Sequence, residues 1–212
     1  LADSAGCLLK HGDVLDITLL DAERERLAVY LKDLGYYNFT VGNIEYVADT
    51  LRSDRTVDVK MVVKQHLTGY DDRGEPQLED NLAYRIGELH ILPAYDPNVL
   101  PNTTTSLEGL DLKLDTTAYR GLDIVYDNRM PLRRSVLRRA VLLEKGQLYS
   151  TSEVERTYAE LTSLGYFRSA KISFRELPQR VEHVDTIRVD DFDGEQTIVQ
   201  RSPEGLLACD IL

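Results

Sequence analysis

The residue types that most often catalyse reactions or bind metals are widely spaced in this chain. Its four histidines are His11, His66, His90 and His183. None of them has metal-ligand spacing to another, and the two cysteines, Cys7 and Cys209, lie near opposite ends of the chain without a Cys-x-x-Cys motif. No glycine-rich phosphate loop accompanies them. We therefore expect no catalytic residues, no metal, no cofactor and no enzyme activity.

Charge and hydropathy define the class of protein instead. Of the 212 residues, 42% are apolar and 29% are charged, which is typical of a globular protein and not of a disordered one. The net charge of −11 makes the chain a poor ligand for nucleic acid, since nucleic acid is a polyanion. No apolar stretch reaches the roughly 18 to 20 residues of a membrane-spanning helix. We expect either a soluble protein or a fragment whose targeting and membrane parts lie elsewhere.

One segment departs from the acidic average. Residues 129–145 carry six cations and one anion. Apolar residues recur there at helical spacing, which predicts a helix over 132–146. Three arginines, Arg134, Arg138 and Arg139, fall broadly opposite its apolar stripe. They are a candidate basic docking face for a partner protein or for anionic headgroups, and a solvated helix face is the alternative.

Hydrophobic periodicity predicts the elements that must position any site. Apolar residues recur at helical spacing in two further segments and at two-residue spacing in most of the others. The predicted order in the first part is a helix over 21–34, strands over 39–46 and 57–64, and a loop over 66–82. A strand over 84–92, a hairpin over 110–126 and the basic helix follow. The last part is predicted to contain a helix over 150–164 that begins with a capping box, a strand over 170–174, a hairpin around 193–194 and a final strand over 206–212.

The first and last helices end in the same motif. Residues 34–37 are Leu-Gly-Tyr-Tyr and residues 164–167 are Leu-Gly-Tyr-Phe. Each motif follows an amphipathic helix and precedes a strand, which indicates an internal repeat. The glycine can adopt a positive φ, and an aromatic residue beside it can pack the helix end against a sheet. We interpret the six turn residues as structural: Gly35, Tyr36, Tyr37, Gly165, Tyr166 and Phe167.

Three segments in the second half resemble a known family. Tyr-Arg-Ile-Gly at 84–87, Gly-Gln-Leu-Tyr-Ser at 146–150 and Leu-Gly-Tyr-Phe at 164–167 resemble the POTRA (polypeptide-transport-associated) domain. They are most similar to the BamA/TamA-like outer-membrane assembly proteins, in particular the TamL type of Bacteroidetes. The resemblance implies an α+β fold of tandem units, each of the order strand, helix, helix, strand, strand, with a small mixed sheet packed on two helices.

The resemblance also implies a domain organisation. Residues 1–66 are expected to form an incomplete POTRA-like unit without its opening strand, residues 67–82 a linker or long loop, and residues 83–212 a complete unit. Insertions at about 93–127 and 178–205 enlarge the second unit beyond the compact family form. We expect the signal sequence and the membrane β-barrel of such a protein to lie outside this chain, as in an excised fragment.

The function that follows from the resemblance is binding without catalysis. In this family the domains lie at the periplasmic face of the outer membrane of Gram-negative bacteria and lead into a C-terminal barrel of the same chain. The expected partners are unfolded outer-membrane or secreted polypeptides, and an assembly-complex or periplasm-spanning protein. A transporter of two-partner secretion and an interaction module of a cell-division protein remain as alternatives.

Edge strands are the candidate sites of this binding. The resemblance implies that the strand after the second helix of a unit lies at a sheet edge, where unpaired amides and carbonyls can pair with an extended client. The alternative is that a loop or a neighbouring unit covers the edge. The candidate residues are Phe39, Val41, Ile44 and Tyr46 in the first unit and Ala170, Ile172 and Phe174 in the second.

Overall fold

Two compact units make up the chain. The computed structural model describes residues 6–49, 56–93, 115–126, 130–167, 169–191 and 194–212, with the backbone alone at 183, 185–191 and 194–201. The units are Leu1–Asn81 and Leu82–Leu212, and each is described by itself. Both combine helices with small sheets, so the predicted α+β class is confirmed.

The first unit packs one long helix on a two-stranded sheet. Its elements are α1 (Ile17–Asp33), a 3₁₀ turn (Val41–Asn43), β1 (Ile44–Asp49), β2 (Asp58–Val63), β3 (His66–Tyr70) and β4 (Pro76–Glu79). Strands β1 and β2 are antiparallel, as are β3 and β4. Helix α1 begins at Asp16, whose carboxylate accepts from the Thr18 amide at 2.8 Å. Its buried residues Leu27 and Ala28 pack with Phe39 and Ile44 in the core.

The second unit is built on a five-stranded mixed sheet. Its elements are β5 (Ala83–Ile91), β6 (Asp115–Tyr119), β7 (Leu122–Tyr126), α2 (Arg134–Ala140), α3 (Thr151–Ser163), β8 (Ile172–Asp191) and β9 (Gly194–Ile211). The strand order is β6-β7-β5-β9-β8, and β5 runs parallel to both of its neighbours. Apart from the hairpin β6–β7 inserted after β5, the chain order is strand, helix, helix, strand, strand.

The repeat observed in the sequence extends to backbone geometry. Gly35 and Gly165 have φ of +103° and +65°, as the two helix ends require. Gly12 and Gly146, four residues before the helix caps Asp16 and Ser150, have φ of +89° and +90°. Helix α1 has 17 residues and α3 has 13, so α1 is longer by about one turn. The two units therefore enter and leave their long helices in the same way.

The predicted loop over residues 66–82 is in fact largely the hairpin β3–β4. Its turn is fixed by Asp71, whose carboxylate accepts from the amides of Arg73 and Glu75, and by Gly74 at φ +80°. Every residue of β4 is exposed, so no apolar alternation marks it in the sequence. The predicted linker at 67–82 thus contains regular structure that belongs to the first unit.

The predicted basic helix over 132–146 is wrong in length, because α2 ends at Ala140. Val141 is extended, and the next amide, that of Leu142, donates to the Thr157 hydroxyl of α3 at 3.1 Å. Val141 and Leu143 are fully buried in this extended form. The apolar residues after Ala140 that predicted a longer helix are therefore apolar because they are buried in the core. They are buried without being helical.

Candidate polypeptide-binding edges

Strand β8 lies at one edge of the five-stranded sheet. Of the candidate residues, Ile172 and Phe174 are in β8, and Ala170 lies two residues before it. Among the described strands β8 pairs with β9 alone. The predicted edge position of the strand that follows the second helix is therefore observed in the second unit.

Hydrogen bonding shows which backbone groups of β8 point outward. The amide of Lys171 donates to the Leu212 carbonyl at 2.8 Å, and the Leu212 amide donates back at 2.9 Å. Because such mutual pairs alternate along an antiparallel ladder, the amides and carbonyls of Ile172, Phe174 and Glu176 point away from β9. These amides and carbonyls face the outer side of the sheet in regular register.

The regular part of this edge has a defined end. The register of β8 against β9 shifts between Leu177 and Arg180. Pro178 lies within this bulge, where its missing amide leaves no ladder position unsatisfied. Before the bulge, the Phe174 ring packs edge-to-face on the Tyr149 ring, with ring centroids 5.2 Å apart. The usable edge is therefore the short stretch from residue 172 to residue 177.

The candidate edge of the first unit is shorter than predicted. Phe39 is buried in the core and Val41 lies in the 3₁₀ turn, so neither belongs to an edge strand. The Thr40 amide and hydroxyl both bond to the Asn43 side chain, which fixes this turn and delays the strand until Ile44. Ile44 and Tyr46 are in β1, which pairs with β2 alone among the described strands.

The three candidate arginines do not form one solvated face. Arg138 donates to the carbonyls of Arg120 at 3.1 Å and Val141 at 2.6 Å, and it pairs with Glu144 at 2.9 Å. Arg134 lies over the Tyr119 ring at 5.6 Å. Arg139 is exposed. Since Arg138 joins α2 to the β6–β7 turn, it has a structural role, and a docking role stays a prediction for the other two.

The aromatic residues of the two turns differ in their packing. Tyr36 packs on the core cluster of the first unit. Tyr166 is exposed and stacks edge-to-face on Phe167, with centroids 5.2 Å apart. The two turn glycines thus share a positive φ, whereas the tyrosine that follows the glycine packs against the core in the first unit only.

Sequence reasoning missed a partly buried polar cluster in the second unit. His90 Nδ1 lies 3.0 Å from the buried Asp210 carboxylate, and His90 Nε2 lies 4.0 Å from that of Asp123. These residues come from β5, β9 and β7, which are far apart in the chain, so no local pattern could indicate the cluster. Beside it, burial raises the pKa of the Cys209 thiol well above its ordinary value, which makes this thiol unreactive. Among the described residues, no three His, Cys, Asp or Glu side chains are grouped as metal ligands would be.

A groove of about 1130 Å³ runs along the first unit. One wall is formed by residues 9–16, the other by residues 56–59 and Met61, and α1 supplies Leu19, Leu20 and Leu27 between them. Tyr46 lines the groove, and its buried hydroxyl has no hydrogen-bond partner among the described residues. Burial and the nearby Glu23 carboxylate raise the pKa of this phenol.

A comparison with protein-family models gives a match within the first unit. Residues 6–66 match the POTRA family model, described as a surface antigen variable number repeat. A search of curated proteins gives no match. No helix among the described residues is long and apolar enough to cross a membrane.

Two solved structures are similar over most of the chain. POTRA domains 3–5 of Haemophilus influenzae BamA are 12% identical with a TM-score of 0.38, covering 96% of this chain and 51% of that one. Haemophilus ducreyi BamA lacking POTRA domains 1–3 is 15% identical with a TM-score of 0.39, covering 96% and 24%. The chain thus spans about half of the first structure and about a quarter of the second.

Proposed function

We propose that this chain is a periplasmic polypeptide-binding scaffold of an outer-membrane β-barrel protein of the BamA/TamA type, in particular of the TamL type. It acts without catalysis, by pairing extended client or partner polypeptides with the open edge of β8. The observation that carries the proposal is the edge position of β8, with an outward ladder at residues 172–177. The POTRA match at residues 6–66 supports it.

The chemistry of this edge favours weak and sequence-tolerant binding. About six outward backbone groups at roughly 1 kcal/mol per hydrogen bond give on the order of 6 kcal/mol. Association costs on the order of 4 to 15 kcal/mol of translational, rotational and ordering entropy. The edge alone therefore binds transiently, and because main-chain groups recognise any extended segment, many different clients can be accepted. Transient binding suits a component that passes unfolded precursors on to a barrel.

Site-specific crosslinking tests the location of this binding. A photoreactive amino acid is placed at Ser169 or Lys171, next to the open edge, and a urea-unfolded outer-membrane β-barrel precursor is diluted into the sample. Matched controls carry the same group at Glu155 or Glu160, which are exposed on helix α3 away from any sheet edge. We expect adducts at the β8 positions and few on α3. Equal capture at β8 and α3, or none at β8 in a folded protein, contradicts the proposal.

A backbone substitution tests the mechanism. Ile172→Pro removes one outward amide, and proline is tolerated at such an edge position. Ile172→Val is the control, since it keeps the amide and removes one methylene group. We expect the proline variant to lose most of its client crosslinking at Lys171 while the valine variant keeps it. Equal crosslinking in two variants that remain folded would show that binding does not use the main chain of β8.

A further inference from the structure

We propose that the second unit carries a docking surface for an acidic polypeptide segment. Five exposed cations form this surface, which we call the basic platform: Arg120, Arg133, Arg134, Arg139 and Lys145. They come from the β6–β7 turn, from α2 and from the segment that follows α2. The platform is separate from the β8 edge, and it does not depend on the proposed function there.

The Tyr119 ring joins two cations of the platform that belong to different elements. Arg120 lies in the β6–β7 turn, and Arg134 is the first residue of α2. The guanidinium carbon of each lies 5.6 Å from the centre of the Tyr119 ring. The two guanidinium groups are therefore no farther apart than twice this distance. A contact with an aromatic face positions a guanidinium group without neutralising its charge.

Two further contacts hold the turn against the rest of the platform. The Arg138 guanidinium donates to the Arg120 carbonyl at 3.1 Å, which attaches the turn to α2. A Cβ atom added to Gly121 would lie 4.0 Å from the Lys145 Cβ, so Lys145 also adjoins the turn. The other two arginines of the platform lie at the N-cap of α2 and near its end. The structure thus groups cations that the sequence separates.

The conformation of the turn shows what Arg120 contributes. Arg120 and Gly121 have φ of +50° and +78° and form the two-residue loop between the paired residues Tyr119 and Leu122. Such a loop favours Asn, Asp or Gly at its first position, because a positive φ is strained for longer side chains. Arginine is therefore not the residue that the turn itself requires. It adds a positive charge over the Tyr119 ring.

The charges of the platform have no anionic partner in the part of the chain that the structure describes. None of the five cations forms a salt bridge there. Glu144, which precedes Lys145 in the sequence, pairs with Arg138 at 2.9 Å instead. Cations held close together repel one another, and a bound anionic group would relieve this repulsion.

The charge distribution of the second unit favours an acidic segment over an anionic membrane. Residues 119–145 carry seven cations and three anions, whereas residues 82–118 and 146–212 carry nine cations and 17 anions. A membrane is an extended surface that acts on every charge within a Debye length of roughly 8 to 10 Å, so it would also repel the acidic remainder of the unit. A short acidic segment contacts the platform alone. Four of the five cations are arginines, whose planar forks bind carboxylates through two parallel hydrogen bonds.

A short peptide in which glutamate alternates with serine is the probe. It is labelled with fluorescein and titrated into the whole chain, and the same peptide with glutamine in place of glutamate is the peptide control. Arg120→Asn removes one charge of the platform and places a residue that tolerates positive φ in the turn, so lost binding cannot come from a disrupted turn. The matched control is Arg73→Asn, the same exchange at an exposed arginine of the first unit.

We expect anisotropy to report binding to the unaltered chain and to Arg73→Asn. Arg120→Asn should weaken binding about threefold, the double variant with Arg134→Gln about tenfold, and added salt should weaken binding to all of them.

Three results would overturn the proposal. They are equal affinity of Arg73→Asn and the double variant, equal binding of the glutamine peptide, and sedimentation of the chain with phosphatidylglycerol vesicles while no peptide binds, which would assign the platform to a membrane. Crosslinking at β8 should be unchanged in Arg120→Asn, so either site can fail without the other.

Discussion

Replacement of His90 tests whether the partly buried polar cluster of the second unit makes folding depend on pH. The hydrogen bond that His90 donates to the Asp210 carboxylate raises the pKa of His90 above its ordinary value of 6.5, more than burial lowers it, and the charges of Asp210, Glu88 and Asp123 add to the rise. The protonated imidazole is thus favoured in the folded state. Its contribution to stability is fully present below pH 6.5 and is lost as the pH rises through the folded pKa.

The expected magnitude follows from the hydrogen bond that is lost. A hydrogen bond to a charged partner contributes about 1.5 to 3 kcal/mol, and a neutral one about 1 kcal/mol. Above its pKa the imidazole can still donate to the Asp210 carboxylate as a neutral group. For His90→Asn we therefore expect a loss of about 2 to 3 kcal/mol at pH 5.5, which falls to about 1 kcal/mol at pH 9.

Hydrogen exchange read by mass spectrometry is the suitable assay, because it reports on each of the two units separately. Peptides from β5 and β9 give the opening free energy of the second unit at each pH. His66→Asn, in the first unit, is the control and should leave these peptides unchanged. A loss for His90→Asn that stays constant between pH 5.5 and pH 9, or that grows with pH, would refute the reasoning.

Three further substitutions test other contacts. Glu23 is buried, and the hydrogen bond from Arg26 lowers its pKa below 4.5. Glu23→Gln should therefore destabilise the first unit by about 1 to 3 kcal/mol. Urea titrations should show this loss above pH 4.5, and the loss should disappear as the pH falls through the lowered pKa of the folded state. In Gly205→Ala the new methyl group would overlap the Tyr84 ring, so exchange at β9 should report a loss of about 1 to 3 kcal/mol. Arg138→Gln should speed exchange at the β6–β7 turn, where its guanidinium holds a backbone carbonyl.

Local signals in the sequence predicted the parts of the fold that are fixed locally. A helix cap needs a residue that tolerates positive φ, and Gly35 and Gly165 provide it wherever the rest of the chain lies. The serine cap of α3 is equally local, because Ser150 accepts from an amide three residues later. These features determined the repeat, whereas the edge position of the strand after α3 was implied by the family resemblance.

The predicted element boundaries were wrong where contacts between residues distant in sequence determine the backbone conformation. The end of α2 depends on Thr157, which accepts the next amide from a different helix. The strand predicted from residue 39 is delayed because Phe39 packs in the core beneath α1. For the candidate sites, the edge residues Ile172 and Phe174 followed from the family resemblance, whereas the pairing of His90 with Asp210 needed the register of parallel strands.

The edge position limits how tightly a client can bind to β8. Strand β5, inside the same sheet, is paired on both sides and buries Ile86, Leu89 and Ile91. At about 1.5 to 3 kcal/mol for each side chain, this burial adds roughly 5 to 9 kcal/mol to the hydrogen bonds of β5. A client at the β8 edge would be hydrogen-bonded on one side only. Such an edge therefore suits a client that is released and not a segment that stays bound as part of the sheet.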